Sequence, residues 1–317
     1  MSLALDSLKI SDRSKLSSEN YTKAELSSLV KPGGLVPAST VQRLLEQKSI
    51  SVETLMLYFV PIAAQYSAAP VSNFEVGAVI AGLPTSNFAP NLYLGANAEF
   101  ENQSHATAIH AEQSAVANAY SNDETGISML AVSAAPCGYC RQFLNEIPET
   151  ASMPVIFKDQ MDSIVRTQLE QLLPKAFGPI DLGIEGGFMH NRSQAHTYSL
   201  SPSMGESDPL TQKAAEAAVE QSYAPYTGDF AGIALQMSDG EIISGVNIEN
   251  AAFNPGLDPL RMALSEVFRR QLTVASITRA VLVEMQGFCV QKNFCSALLS
   301  SLAPQLELEY YSLSFTD

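Results

Sequence analysis

The chain has 317 residues, of which 46% are hydrophobic and 16% are charged. That balance is typical of a globular protein, and at about 150 residues per domain the length favours two domains. The formal net charge of −15 argues against a nucleic-acid partner, because affinity for a phosphate backbone comes mostly from lysine and arginine. The four cysteines are too few for a disulfide scaffold.

No segment has the pattern of a membrane span or of an export signal. The longest apolar stretch, residues 55–64, is about half the length that crosses a bilayer and contains Pro61. The first residues lack a basic start followed by a sustained apolar region. We therefore expect a cytoplasmic protein without a membrane partner.

Apolar periodicity predicts helices that alternate with strands in the first half. Residues 1 to about 30 are polar and should be loosely ordered, and 1–50 as a whole predict a helical N-terminal segment. Ser51 suits the cap of a helix that runs through Ile62. The next predicted elements are strands at 74–82 and 91–95, a helix at 109–120, a strand at 128–134, a helix at 138–146 and a strand at 155–158. This alternation is typical of a layered α/β domain, which we place at 51–185.

A stretch rich in Ser, Gly, His and Asn follows the first domain. Residues 186–207 show no period and are predicted to be a linker. Asp208 then suits an N-cap and Pro209 the first turn of a helix over 210–221. We place a second domain at 208–317.

The second half repeats features of the first. Residues 94–99, Leu-Gly-Ala-Asn-Ala-Glu, correspond to 244–249, Ser-Gly-Val-Asn-Ile-Glu, and residues 77–79 fall against 233–235. These matches predict an internal duplication.

The most informative motif combines His110, Glu112, Cys137 and Cys140. A Cys-x-x-Cys spacing lets two sulfurs reach one ion from the start of a helix, whose N-terminus stabilises thiolates. With His110 as a third ligand, the fourth tetrahedral position stays open to water, as in catalytic zinc sites. Glu112 can then exchange a proton with that water. Together the residues match the H-x-E and P-C-x-x-C signature of zinc nucleobase deaminases.

Each part of the motif has a simpler interpretation when taken alone. A Cys-x-x-Cys pair can be a redox pair or buried core sulfur, and an isolated His-x-Glu carries little information. Arg141, directly after Cys140, is expected to damp the charge on the sulfurs.

Four segments resemble cytidine deaminases, in their long homodimeric form of enteric bacteria and plants. These are residues 71–78, 95–100, 110–114 and 135–143. Residues 173–182 and 249–255 resemble the same form, so the similarity covers about residue 50 to the end. It implies an α/β fold in which a three-layer α/β/α domain, a mixed sheet flanked by helices, occurs twice after a helical N-terminal lead-in.

The resemblance also implies an activity, a cofactor and an assembly. The reaction is hydrolysis of cytidine or 2′-deoxycytidine to uridine or 2′-deoxyuridine and ammonia, a step of pyrimidine salvage. One zinc ion per chain is held by His110, Cys137 and Cys140, its hydroxide attacks C4 of the base, and Glu112 shuttles protons. The partners are a small nucleoside and a second copy of the chain.

The resemblance further implies a set of substrate contacts. Phe74 packs against the pyrimidine, Asn97 and Glu99 bind the ribose hydroxyls, and Ala98 lies between them. The Ala111 N–H and the carbonyl near Ala135 contact the base edge, and Phe253 approaches the substrate of the partner subunit. From the residues alone, Asn97 could equally cap a turn, Glu99 could be a solvated charge and Phe74 could be core.

The second half departs from the chemistry of the first. At the His-Ala-Glu position it reads about Pro259-Leu260-Arg261, and Cys289 and Cys295 are too far apart in sequence for the motif. We interpret both cysteines as core thiols and the second domain as a copy without zinc.

Two other functions remain open from the sequence. A deaminase of RNA or DNA shares the motif, but the net charge and the predicted ribose contacts argue against it. A binding protein with a structural zinc has no use for Glu112 as a proton shuttle.

Overall fold

The computed structural model describes residues 21–85, 88–190, 196–202 and 207–316. The expectation of a loosely ordered start concerns residues 1 to about 30, of which the first 20 lie outside these ranges. In the described part of that segment, Lys23–Ser27 forms helix α1, which begins at a capping box between Thr22 and Glu25.

A helical lead-in covers one face of the first sheet. Strand β1 (Leu35–Val36) is followed by helices α2 (Ala38–Lys48) and α3 (Val52–Ala63). Ser51 caps α3 by accepting a hydrogen bond from the Thr54 N–H at 3.2 Å, so the predicted cap is confirmed.

The first half contains a mixed sheet of six strands. After β1 its elements are β2 (Gly77–Gly82), β3 (Leu92–Ala96), α4 (Ala111–Ser121), β4 (Ile127–Val132), α5 (Gly138–Leu144), β5 (Pro154–Lys158), β6 (Ile164–Gln168) and α6 (Leu169–Leu172). The strand order is β1-β3-β2-β4-β5-β6, in which only β4 and β5 run parallel. Along β2, Val79 and Ala81 pack with the N-terminal helices while Ala78 and Ile80 pack with α4. This period of two produces three layers.

The second half repeats the arrangement. Its elements are β7 (Tyr198–Ser201), α7 (Pro209–Glu216), β8 (Ala231–Met237), β9 (Ile242–Val246), α8 (Pro259–Arg269), β10 (Ile277–Met285), α9 (Lys292–Leu302) and β11 (Leu308–Phe315). The order β7-β11-β10-β8-β9 again has one parallel pair, β10 with β11. The predicted fold class, a duplicated three-layer α/β/α domain, is therefore confirmed.

The two copies differ in the origin of one edge strand. Strand β6 pairs antiparallel with β5 and follows it in sequence, whereas β7 pairs antiparallel with β11 but precedes its whole copy. The segment predicted as a linker, 186–207, therefore contains a strand of the second sheet. Its start is also packed, since Phe188 and Met189 lie in the core, while 191–195 and 203–206 lie outside the described residues.

The strand pairing sets the alignment between the copies. Ala78 pairs with Gly95, and the corresponding pair in the second sheet is Ile233 with Gly245. Residue 77 therefore corresponds to Gly232, one position before the predicted match. The match between 94–99 and 244–249 has the correct register.

A buried carboxylate joins the two copies. Glu146, next to the end of α5, is 1% exposed and accepts hydrogen bonds from the Tyr223 hydroxyl at 2.8 Å and the Ala251 N–H at 2.9 Å. The Tyr226 hydroxyl is its third donor. A carboxyl group in which both oxygens accept hydrogen bonds can remain buried between the halves. Among the residues described, no helix has the length and apolar character needed to span a bilayer.

Candidate metal centre and active site

Three potential metal ligands converge at the starts of two helices. His110 directly precedes α4, Cys137 directly precedes α5, and Cys140 lies in the first turn of α5. His110 Nδ1 is 3.5 Å from Cys137 Sγ and 3.3 Å from Cys140 Sγ, and the two sulfurs are 3.6 Å apart. Among the residues described, this is the one group of three such side chains whose ligand atoms lie within 4.8 Å of each other. Two thiols and an imidazole are a donor set that fits zinc.

The two thiols of this cluster have pKa values that are shifted in opposite directions. The hydrogen bond with Cys140 lowers the pKa of Cys137 to about 3, with a further contribution from His110. Cys137 and burial together raise the pKa of Cys140, and the hydrogen bond to Cys137 raises that of His110. A cation placed among them would favour the unprotonated forms, so metal binding releases protons.

Glu112 lies beside the cluster without belonging to it. It occupies the first turn of α4 and is 4% exposed. Burial raises the pKa of its carboxyl, while the backbone N–H, Cys140 and His110 oppose this effect. A buried carboxyl with a raised pKa beside such a cluster is suited to take up and return a proton.

Close packing fixes where α4 begins. A Cβ on Gly95 of β3 would lie 2.1 Å from the Ala115 nitrogen and 2.6 Å from the Ala111 oxygen, so α4 rests directly on the strand. The ring of Tyr139 stacks on the imidazole of His110 with centroids 5.2 Å apart. The cluster thus sits on rigid elements rather than on a free loop.

Asn97 and Glu99 organise the loop that carries Phe74. Asn97 Oδ1 accepts from Ser67 Oγ at 2.7 Å and from the Val76 N–H at 2.8 Å, and its Nδ2 donates to the Phe74 oxygen at 2.9 Å. Glu99 accepts from the backbone of residues 71 and 72 and from Ser72 Oγ. Burial would raise the pKa of Glu99, but these hydrogen bonds lower it overall, so the group is a carboxylate.

The remaining predicted contacts surround the same region. Phe74 is 60% exposed, which excludes the alternative that it is core. Ala98 exchanges two backbone hydrogen bonds with Ile109, the neighbour of His110. Ala111 opens α4, where an N–H group has no partner within the helix, and Ala135 is exposed in the loop between β4 and α5. Their contacts with substrate stay predictions.

The second copy has other residues at the position of the His-Ala-Glu motif. A Cβ on Gly245 would meet the Pro259 oxygen and the Ala263 nitrogen, just as Gly95 faces Ala111 and Ala115. The His-Ala-Glu position therefore reads Asp258-Pro259-Leu260, one residue earlier than predicted. Cys295 is buried as expected of a core thiol, whereas Cys289 is exposed, so that part of the prediction is wrong.

Two further residues near the site make contacts that the sequence analysis did not predict. Arg141 donates to the carbonyls of Pro136 at 2.8 Å and Leu172 at 2.9 Å, so it secures the cysteine loop through its backbone. Gln113 accepts from the His110 N–H at 3.2 Å. Its position as third residue of the helix is a capping-box signal that the sequence does contain.

The fold and this cluster define a class, that of a duplicated α/β protein with a His/Cys/Cys centre and an adjacent buried carboxyl. The family profile described as cytidine and deoxycytidylate deaminase zinc-binding region matches residues 51–155, and a second profile of that description matches 169–296. A cytidine deaminase of Aliivibrio fischeri is 40% identical over 281 residues, covering 88% of this chain and 89% of the relative. One of Aeromonas hydrophila is 42% identical over 260 residues, covering 82% and 83%. The chain belongs to the cytidine deaminase family, whose zinc-binding region it contains.

Proposed function

We propose that the chain hydrolyses cytidine and 2′-deoxycytidine to uridine and 2′-deoxyuridine, with release of ammonia. The observation that carries this proposal is the buried carboxyl of Glu112 beside the His110, Cys137 and Cys140 cluster. The relatives named cytidine deaminase support the same reaction. Water supplies the oxygen that becomes the 4-oxo group, and the 4-amino group leaves as ammonia.

The proposed roles divide between the metal centre and the carboxyl. His110, Cys137 and Cys140 hold one zinc ion per chain, and when bound this ion activates a water for attack on C4 of the base. Glu112 accepts the proton that this water loses and delivers it to N3, then takes the proton of the new hydroxyl at C4 and passes it to the amino group, which leaves as ammonia. The pKa of Glu112, raised by burial, favours this exchange.

The proposed nucleoside pocket lies between the loop of residues 67–76 and the starts of α4 and α5. Phe74 provides an exposed ring for the pyrimidine. Ionised Glu99 uses three hydrogen bonds in the free chain, and a carboxylate has about four acceptor sites, so it can also accept from a ribose hydroxyl. Ala98, Ala111 and Ala135 complete the pocket through their backbone.

We also propose a homodimer in which Phe253 reaches the partner's substrate. Phe253 is 65% exposed and holds a left-handed backbone conformation with φ of 57°, which is strained for a bulky residue. Other large apolar side chains are exposed on segments that flank the site: Val71, Phe74, Phe177, Ile180 and Leu182. Exposed apolar side chains beside the site support the proposal of a subunit interface there.

The domain limits and the location belong to the proposal as well. We assign residues 51–185 to the catalytic domain and 208–317 to a copy without zinc. All four cysteines are free, which fits a reducing compartment such as the cytoplasm.

The test is an ultraviolet assay of cytidine turnover, with zinc per chain measured on the same sample. We expect turnover with about one zinc per chain, and its loss after chelator treatment. Zinc without turnover of either nucleoside, together with deamination of a cytosine-containing oligonucleotide, would contradict the proposal and favour a polymer substrate.

A further inference from the structure

Three consecutive backbone carbonyls of the second copy accept hydrogen bonds from side chains around His110. These carbonyls belong to residues 254–256, which we call the carbonyl clamp. The donors are, in that order, the Tyr139 hydroxyl at 2.6 Å, Gln113 Nε2 at 3.1 Å and Arg261 Nη2 at 3.1 Å. Two of these donors belong to the first copy, so the clamp crosses between the copies within one chain.

Both donors from the first copy contact His110 directly. Gln113 is fully buried, and its Oε1 accepts from the His110 N–H at 3.2 Å while its Nε2 donates to the clamp. The Tyr139 ring stacks on the imidazole while its hydroxyl donates to the clamp. The clamp therefore restrains the backbone and the ring of His110 at once.

Arg261 connects the clamp to the backbone that precedes His110. Its Nη1 lies 3.4 Å from the Ala108 oxygen and 3.5 Å from the Ala106 oxygen. Its Nε is paired with Asp258, and the side chains of both residues are more than nine-tenths buried. A guanidinium donates in a fixed fork, so one buried side chain can hold several carbonyls in a set geometry.

We propose that Arg261 is a positioning residue for the metal centre. Together with the carbonyl clamp it fixes the chain on both sides of His110, so that the imidazole meets the two sulfurs. An imidazole that is ordered beforehand loses less conformational freedom when the metal binds, and residues that orient a ligand affect metal affinity strongly. This inference rests on the proposed assignment of His110 as a metal ligand. In this proposal the second copy orders the cluster of the first copy within the same chain, and this role does not depend on a subunit interface.

The test measures the rate at which the holoenzyme releases zinc to a chromogenic chelator. This rate is compared between the wild type and two variants. The variant Asp258→Asn/Arg261→Met removes both members of the buried pair, so no charge is left alone, and asparagine keeps an oxygen that can cap α8. The control is Arg279→Met in the same copy, because Arg279 pairs with Asp208 and Glu309. We expect release to be about tenfold faster or more in the double variant and unchanged in the control.

Two results would overturn the proposal. One is a wild-type release rate in the folded double variant, and the other is equal acceleration in Arg279→Met, which would indicate general loosening. If the double variant does not fold, Arg261→Lys keeps the pairing charge but has no fork to reach several carbonyls, and the same acceleration is expected. The proposed function fails separately, since a His110→Ala variant with wild-type zinc content would refute the ligand assignment whatever Arg261 does.

Discussion

The carboxyl of Glu112 is buried beside the cluster of His110, Cys137 and Cys140, and we propose that it moves a proton twice during the deamination. Its backbone belongs to the first turn of α4, and its side chain is enclosed beside two sulfurs. Glu112 comes two positions after His110 in the chain, and it is not one of the three residues that could hold a metal ion together. Its removal should therefore affect the chemistry and spare the metal.

We expect Glu112→Gln to keep about one zinc per chain and to lose about 10²–10⁴-fold in kcat, the usual contribution of a placed acid–base group. The measurement is kcat with zinc content on the same sample. Glu170→Gln, which changes an exposed carboxylate on α6, should retain wild-type kcat. Loss of zinc together with activity would mean that Glu112 takes part in ligation.

Two buried carboxyls, those of Asp229 and Glu284, lie close together in the second copy. Gln291 directly precedes α9, as Cys137 precedes α5, and it donates to Glu284 Oε2 and Asp229 Oδ2, both at 2.7 Å. One oxygen of each carboxyl has no hydrogen-bond partner in the described part of the chain. Burial raises the pKa of Asp229 to about 6, and the nearby Glu284 and Glu249 also raise it.

This arrangement predicts a pH-dependent stability. Because the pKa of Asp229 is higher in the folded than in the unfolded chain, ionisation destabilises the fold increasingly as the pH rises from about 4 to about 6. Asp229→Asn removes the charge, and its amide oxygen can still accept from Gln291. Its gain in unfolding free energy should be about 1 kcal/mol larger at about pH 7.5 than at about pH 5.

Urea unfolding at the two pH values measures this difference. Asp239→Asn, at an exposed turn position, is the control and should show no such change with pH. An equal effect of Asp229→Asn at both values would mean that Asp229 titrates normally in the folded chain.

At the scale of elements, the contact between α4 and β3 decides where the site forms. Gly95 leaves no room for a side chain against the backbone of α4. We expect Gly95→Ala to lower the unfolding free energy by about 2 kcal/mol or more and to reduce zinc content, since the start of the helix must shift. Denaturant unfolding and metal analysis measure both effects.

The matched control is Gly287→Ala. A Cβ at Gly287 meets nothing within 4 Å, so the variant should be close to wild type. Wild-type stability of Gly95→Ala would show that α4 can move away from β3 at little cost.

The elements differ in how well the sequence predicted them. The caps at Ser51 and Asp208 were predictable, because a cap depends on residues three positions apart. Strand β6 and strand β7 were not, because both are short strands at sheet edges, of five and four residues, and β6 has no buried residue. Only pairing with β5 and β11 makes them strands.

For the whole molecule, the proposed dimer can be tested by mixing subunits that carry different substitutions. Phe253→Ala should raise KM without loss of zinc, and Phe288→Ala, which removes a fully exposed ring elsewhere, should match wild type. Mixed dimers of Phe253→Ala with Glu112→Gln chains should recover activity. One of their sites then has an intact Glu112 and the partner's Phe253.

Sedimentation would first establish that a dimer exists. No recovery in dimers shown to be mixed would mean that Phe253 acts on the site of its own chain, where the adjacent Asn254 already contacts Tyr139. A monomeric active protein would contradict the cross-subunit role altogether.

The sequence by itself predicted the cluster of His110, Cys137 and Cys140 and the chemistry proposed for it, because the residues of each motif, Cys-x-x-Cys and His-x-Glu, lie within one helical turn of each other. It also predicted the duplication, apart from shifts of one residue at Gly232 and at Asp258. The tertiary structure alone decided how the copies cooperate. The contacts of Glu146 with Tyr223 and of Gln113 with Pro255 join residues more than seventy positions apart, and no local pattern encodes them. Such pairs form only when packing brings two distant surfaces together, so a buried donor then finds its acceptor.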